Sequence, residues 1–366
     1  MFRPFLVSDS LLTPLTCYEV GSTVYDGLSM SQPNSTAVLL LAHGTPNVLG
    51  EMAEYLSKVT GGRALPLQVV EELQHRYAQI GLGETPTPEP PPLTRWTLEQ
   101  ARLLQIALNQ SGHSLRVYVA MRNWHPFISD VVRQMRAGGI TRILALCLAP
   151  QNSSTSTGLY RRALVATLDA EAAQHPSAPK PTLTFVQAWS EEPALIEAFT
   201  QRLIGMYSRA CAESASDSLP ILFTAHSVPC RTIQSSEANP TPDPYPIEAR
   251  RTAELVFASA ARQLPALKTM FFAFQSQGVA GGPWIGPTVE ETLAAIVAEG
   301  HSAVVLQPIG FLSDHVEVLY DIDIAFAATA RTLGLRLFRP ASLNDSPLLT
   351  EALLHVVLAN LPTDNP

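Results

Sequence analysis

The sequence predicts an α/β fold of two similar doubly wound, Rossmann-like parallel-sheet lobes facing each other across an inter-domain cleft. Three observations carry this. From Ala37 onward, short apolar runs alternate with stretches of helical periodicity, the pattern of a sheet wound by crossover helices. The runs are apolar throughout rather than at every second residue, as expected of strands buried on both faces. The first half of the pattern also recurs in the second.

Eight segments have strand character: 37–42, 115–120, 142–148, 182–188, 219–225, 269–274, 303–308 and 335–338. Between them apolar residues follow helical spacing, as in Phe127, Val131, Val132 and Met135. The recurrence has two parts. Val38-Leu-Leu-Leu-Ala-His-Gly-Thr-Pro46 parallels Ile221-Leu-Phe-Thr-Ala-His-Ser-Val-Pro229, and Pro126–Pro150 parallels Pro287–Pro308 as helix, apolar strand and proline. The expected organisation is an irregular extension over 1–36, an N-terminal lobe over 37–188 and a C-terminal lobe over 189–344. A last helix within 345–366 is expected to pack between or across the lobes. The proline-rich stretch 84–93 reads as a stiff extended loop at the cleft mouth.

With 366 residues, 46% hydrophobic and 15% charged, the chain can bury two cores of ordinary size. A net charge of −8 argues against nucleic acid as a partner. No apolar stretch reaches the length of a membrane span, and the first residues turn polar at Ser8-Asp9-Ser10 before a signal-peptide core forms. Cys17, Cys147, Cys211 and Cys230 form no Cys-x-x-Cys pair, so neither a zinc site nor a disulfide framework is signalled. These features predict a cytoplasmic protein with reduced thiols and no transmembrane segment, a monomer or weak dimer.

Two segments carry the chemistry. Thr224-Ala-His-Ser-Val-Pro229 puts His226 directly after an apolar run, and Asp314–Asp323 packs one histidine and four carboxylates behind another. Ligating side chains at the carboxyl ends of parallel strands are how an open α/β sheet builds a site. Imidazole with carboxylate suits a divalent transition metal such as iron.

The chain resembles ferrochelatases, which insert ferrous iron into a porphyrin. The matching stretches are Gly44-Thr-Pro46, Arg76-Tyr-Ala-Gln-Ile-Gly81 and Thr97-x-x-Gln-Ala101 in the first half. In the second they are Thr224-x-His-Ser-Val-Pro229, Asp243-Pro-Tyr245, Phe274-Gln-Ser276, Pro283-Trp-Ile-Gly-Pro287 and Pro308–Asp321. The resemblance implies a class II chelatase-like fold and an activity as a lyase that handles Fe2+ as a substrate. It implies that His226 and Glu317 are the catalytic and metal-binding pair, with His226 aimed at the porphyrin centre. Asp321, at i+4 from Glu317, is expected to share its helix face and relay metal or protons. Asp314 and His315 sit at the helix start, Asp314 as a cap and His315 as an orienting neighbour. No organic cofactor is implied, and no cysteine-rich tail is present for an iron–sulfur cluster.

His43 is the repeat counterpart of His226. Relatives acting on coproporphyrin often carry tyrosine at this position next to the metal, while those acting on protoporphyrin look apolar. A polar residue here leans towards coproporphyrin III over protoporphyrin IX, and a structural role for His43 in the following turn stands equally open. Arg63, Arg95 and Arg122 are candidates for propionate pairing. Departures from the family's pattern include Ala325 where a further acid is common and Pro242 where glycine is expected before Asp243. Two rival readings remain at this level: a cobalt or nickel chelatase of a sirohydrochlorin-type ring, and a non-catalytic haem or porphyrin carrier.

Overall fold

The computed structural model describes residues 36–235, 241–278 and 282–361, so the expected extension at 1–36 and Cys17 within it lie almost wholly outside the described residues. Eight strands form two four-stranded parallel sheets. The first contains β1 (Thr36–Ala42), β2 (Arg116–Met121), β3 (Arg142–Cys147) and β4 (Thr182–Val186) in the order β2-β1-β3-β4. The second contains β5 (Ile221–His226), β6 (Met270–Gln275), β7 (Ala303–Pro308) and β8 (Arg336–Phe338) in the order β6-β5-β7-β8. Each order is the other shifted by four, so the repeat read from the sequence is a repeat of topology.

Helices fill the crossovers. In the first lobe these are α1 (Met52–Val59), α2 (Leu67–Gln79), α3 (Pro92–Gln110), α4 (Ile128–Ala137) and α5 (Thr157–Gln174). α6 (Pro193–Ser214) leads into the second lobe, followed by α7 (Cys230–Ile233), α8 (Tyr245–Gln263) and α9 (Val289–Ala298). After β7 come α10 (Val316–Leu319), a π-helical turn (Asp321–Phe326) and α11 (Ala327–Thr332), and the last helix is α12 (Pro347–Ala359). No helix among the described residues is long and apolar enough to cross a membrane.

Strand alternation explains the layering. In β1, Val38, Leu40 and Ala42 face one core while Ala37, Leu39 and Leu41 face another, because successive side chains leave a strand on opposite sides. The outer face of the first sheet is covered by α4 and α5 through Val131, Met135, Leu164 and Leu168. The outer face of the second is covered by α9 through Val289, Leu293 and Ile296. The inner faces share one continuous core: Val38 and Leu40 join Ile221, Phe223 and Val305 through side chains of α3, α6, α8 and α12. α12 packs on both α6 and α3. Burial on this shared core, at roughly 25 cal/mol per Å² of apolar surface, holds the two sheets as one unit.

Parallel strands all point the same way within a sheet, so the loops after β1, β2, β5, β6 and β7 gather at the carboxyl ends of both sheets. One cavity of about 1200 Å³ lies there, lined from both lobes. The proline-rich stretch runs along it through Thr85, Thr87 and Glu89 to Pro92, the first residue of α3.

Candidate functional site

His226 is the last residue of β5, and two contacts that involve the backbone set its place and its ring. Its backbone N–H donates a hydrogen bond to the Tyr245 hydroxyl oxygen. Its Nδ1–H donates to the Ser227 carbonyl at 2.5 Å. Nε2 is thereby left facing the cavity, 3.3 Å from Glu317 Oε1. His315 is built the same way: Nδ1–H donates to the Ser313 carbonyl at 2.9 Å, and Nε2 lies 3.3 Å from Glu317 Oε2. One carboxylate therefore spans two imidazoles whose other nitrogens are committed to the backbone.

Glu317 is positioned from β6. Gln275 pairs in register with His226, and its amide Nε2 reaches across to donate to the Glu317 carbonyl oxygen at 2.8 Å. The strand neighbour of His226 thus ties down the helix that carries its partner. Beyond Glu317 the helix widens into the π turn, where the Tyr320 carbonyl accepts from Ile324 N and Ala325 N together. Such turns are a recognised irregularity of helices at functional sites. Asp321 opens that turn and also lines the cavity. Its carboxylate accepts from the Ser276 hydroxyl at 2.5 Å, with the Arg76 guanidinium at 3.9 Å. Ser276 holds φ +60, a left-handed conformation costly for a residue with a side chain.

These contacts decide where protons sit. Burial works against charge on His226, but the Glu317 carboxylate outweighs it by charge and hydrogen bond and raises the imidazole to about 9. Glu317, pushed up by burial, is pulled well below the usual carboxylate range by His226 and His315. At neutral pH, without metal, the pair is imidazolium and carboxylate, so His226 is not the free base that its sequence position suggests. Burial raises Asp321 against the opposing hydrogen bond from Ser276.

The first lobe presents a different wall. His43 leaves the end of β1, lines the same cavity and donates from Nδ1 to the Gly44 carbonyl at 3.1 Å, with the Tyr55 hydroxyl also 3.1 Å away. Its Nε2 accepts from the Asn123 amide at 2.9 Å. Tyr55 is in turn bonded to Tyr77, and Tyr77 to Thr45. Burial, then the neighbouring Arg122 charge, lower His43 to about 4, so this ring is neutral with both nitrogens engaged. The bond to the following turn, one of the two roles open from the sequence, is present, and the ring is also at the cavity wall. Gly44 makes that turn at φ +89, where an added Cβ would lie 2.8 Å from the Trp124 backbone nitrogen.

The three arginine candidates all line the cavity. Arg63 is exposed. Arg95 stacks over the Trp96 ring at 4.3 Å and pairs with Glu89 of the proline-rich loop at 2.9 Å. Arg122 is half-buried beside Tyr160, with the ring centroid at 5.9 Å.

Asp314 departs from expectation. It neither lines the cavity nor caps the helix, whose N-cap is His315 with no side-chain cap bond. Its carboxylate accepts from Ser342 at 2.7 Å and Asn344 at 2.8 Å, with Arg339 at 3.7 Å, so it fastens the segment after β8. Three nearby donors draw it away from the helix end. Sequence reasoning passed over Gln275, Asn123 and Tyr55 as individuals. Only Gln275, inside Phe274-Gln-Ser276, carried any signal.

Two α/β lobes with a carboxylate between two imidazoles on the wall of a ring-sized cavity define a metal chelatase, a lyase that brings a cation to a large bound ligand. The ferrochelatase family profile matches residues 35–361, and this chain belongs to the ferrochelatase family. A ferrochelatase of Acidobacterium capsulatum is 51% identical over 89% of this chain and 94% of that protein. A coproporphyrin III ferrochelatase of Geobacillus kaustophilus is 31% identical over 88% of this chain and 95% of that one. The solved sirohydrochlorin chelatase of Bacillus subtilis subspecies spizizenii, in complex with cobalt, superposes over 89% of this chain and 94% of that one, with 11% identity and a TM-score of 0.47.

Proposed function

We propose that this ferrochelatase inserts Fe2+ through the His226–Glu317–His315 array and prefers a tetracarboxylate porphyrin of the coproporphyrin III type over protoporphyrin IX. The observation that carries the mechanism is the single carboxylate held 3.3 Å from both Nε2 atoms. An arriving dication competes with the Nε2 proton of His226, and that proton leaves to solvent. The ion then has imidazole and carboxylate as ligands on the cavity wall. When it passes into the ring, the two pyrrole protons move to the vacated nitrogens and oxygens of the array. The balance is Fe2+ plus the free porphyrin giving iron porphyrin plus two protons. Asp321, on the same wall, offers the next acceptor outward. The chemistry is complete without an organic cofactor or an iron–sulfur cluster.

The preference for four carboxylates rests on the cavity's charge. Five arginines line it, Arg63, Arg76, Arg95, Arg122 and Arg231, against the acids Glu72, Glu89, Glu317 and Asp321. Glu317 is spent on the imidazoles, and Glu72 and Glu89 pair with Arg76 and Arg95, so the exposed Arg63, and Arg95 by exchanging Glu89 for a propionate, support the preference. We further assign the protein to the cytoplasm as a monomer or weak dimer. Anaerobic insertion of Fe2+, followed by visible spectrum with coproporphyrin III and protoporphyrin IX in parallel, tests the reading. A kcat/KM at least tenfold higher for coproporphyrin is expected. Equal or reversed values overturn the preference, and binding of either ring with no insertion overturns the mechanism.

A further inference from the structure

Arg122 differs from Arg76 and Arg95, which line the same cavity. It follows β2 directly: its N–H donates to the Ala42 carbonyl at 3.0 Å, and Asn123 N does the same to His43, so Arg122 lies at the sheet end beside His43. Arg76 and Arg95 have carboxylates at 3.0 and 2.9 Å. Arg122 has no carboxylate within 4 Å among the described residues, and its Nε, like that of Arg95, is buried without a hydrogen-bond partner. The polar rings around it are Tyr160, Tyr55 and the neutral His43. A cation partly removed from water and left without a counter-ion is costly in the resting protein. It is useful where negative charge forms during the reaction.

We propose that Arg122 is a catalytic residue that stabilises the anionic charge developing on the pyrrole nitrogens as their protons leave. Each N–H proton passes to the acceptors of the second lobe, its bonding pair stays on nitrogen, and the ring gains one negative charge per proton until Fe2+ neutralises it. The acceptors His226, Glu317 and His315 stand on one lobe and the guanidinium on the other, both on the same cavity. Fixed charge aimed at a transition-state anion in a partly dry site commonly contributes factors of about 10² to 10³ in rate. His43 and Asn123 fit this assignment, since their closed bonding adds no charge that would quench the guanidinium. This inference rests on the second-lobe array as the proton acceptor.

The full chain with Arg122→Gln and Arg122→Lys tests it, by steady-state insertion with both porphyrins and porphyrin binding by fluorescence. Arg122→Gln is expected to lower kcat by about 30-fold or more, leaving KM and porphyrin Kd within about threefold. Its kcat should rise with pH more steeply than that of the parent, because pyrrole deprotonation becomes limiting. Arg122→Lys keeps the charge and should recover most of kcat, which also answers the objection of misfolding. If Arg122→Gln instead raises KM with kcat intact, and more for coproporphyrin than protoporphyrin, Arg122 anchors a propionate and the proposal fails. It fails too if Arg122→Lys is as slow as Arg122→Gln, since charge is then not what matters. Failure of the second-lobe mechanism is separate: it appears as full turnover in Glu317→Gln with Arg122 intact.

Discussion

His226 and His43 occupy the same place in two copies of one topology, each closing the central strand of its sheet and donating Nδ1–H to the next carbonyl or its own turn. Yet one is raised to about 9 and the other lowered to about 4. Topology therefore sets position and leaves the chemistry to the surroundings. At His226 an acid 3.3 Å away overrides burial; at His43 burial dominates and the neighbouring Arg122 charge adds to it. The difference also has opposite consequences for stability. His226 contributes fully below its ordinary 6.5, and that contribution is lost as pH rises through about 9. Glu317 contributes above its ordinary 4.5 and less as pH falls through its depressed folded value, so the pair counts most between about 4.5 and 6.5. His43, buried neutral, contributes above 6.5 and loses its contribution as pH falls through about 4.

The hardest break in this contrast is Glu317→Gln. With the carboxylate gone, burial is opposed at His226 only by the Ser227 carbonyl and the Asp321 charge, and its imidazole should titrate well below about 9. Metal insertion should fall by about 10²- to 10⁴-fold, the range for losing a positioned acid or base. Ring-proton NMR across pH reads the first and the anaerobic insertion assay the second. A His226 that still titrates near 9 in this variant means that something other than Glu317 charges it.

The reverse experiment is Asn123→Asp, which gives His43 the acid it lacks. A carboxylate at hydrogen-bond range favours imidazolium, so His43 should climb from about 4 to above 6. The new acid also stands near Arg122 and supplies the counter-ion missing there. If Arg122 works as a free cation, insertion should slow by roughly tenfold, a smaller loss than at Glu317 because the acceptors remain. Unchanged turnover with a raised His43 would mean that charge on the first wall is irrelevant to the rate.

Much of this was legible in the sequence, and the limit has a physical cause. All eight strands fall where apolar runs placed them, to within two residues at most ends, because strands buried on both faces must be apolar throughout. The β4 run to 188 overshoots because pairing with β3 ends at Leu146 opposite Val186, and the Trp189 amide then bonds to Pro150. The repeat was legible as well, since short matching motifs mark matching strand ends. What side chains do at those ends was not. Asp314 and Glu317 are three residues apart in one acidic segment, yet one faces the cavity and the other binds Ser342 and Asn344. The neutral state of His43 depends on its burial and on Arg122, far along the chain. Long-range partners leave no local pattern, so the sequence names the ligand types and the fold chooses among them.

The finest test concerns the outer end of the second wall. Asp321 shares the cavity with Glu317 but has a hydroxyl and a distant arginine where Glu317 has two imidazoles. Burial already raises Asp321, and Ser276 is the main force holding it down. Removing that hydroxyl in Ser276→Ala should raise Asp321 further and cost about 1.5 kcal/mol of stability, the low end for a hydrogen bond to a charged group. The alanine keeps a Cβ in the left-handed backbone, so the strain is unchanged and the loss reports the hydroxyl's bonds to Asp321 and from the Gln275 amide. Insertion should slow by no more than about fivefold if Asp321 only passes protons outward, because water can substitute at an exposed step. A loss as large as that of Glu317→Gln would make Asp321 an obligatory member of the array and extend the acidic wall by one helical turn.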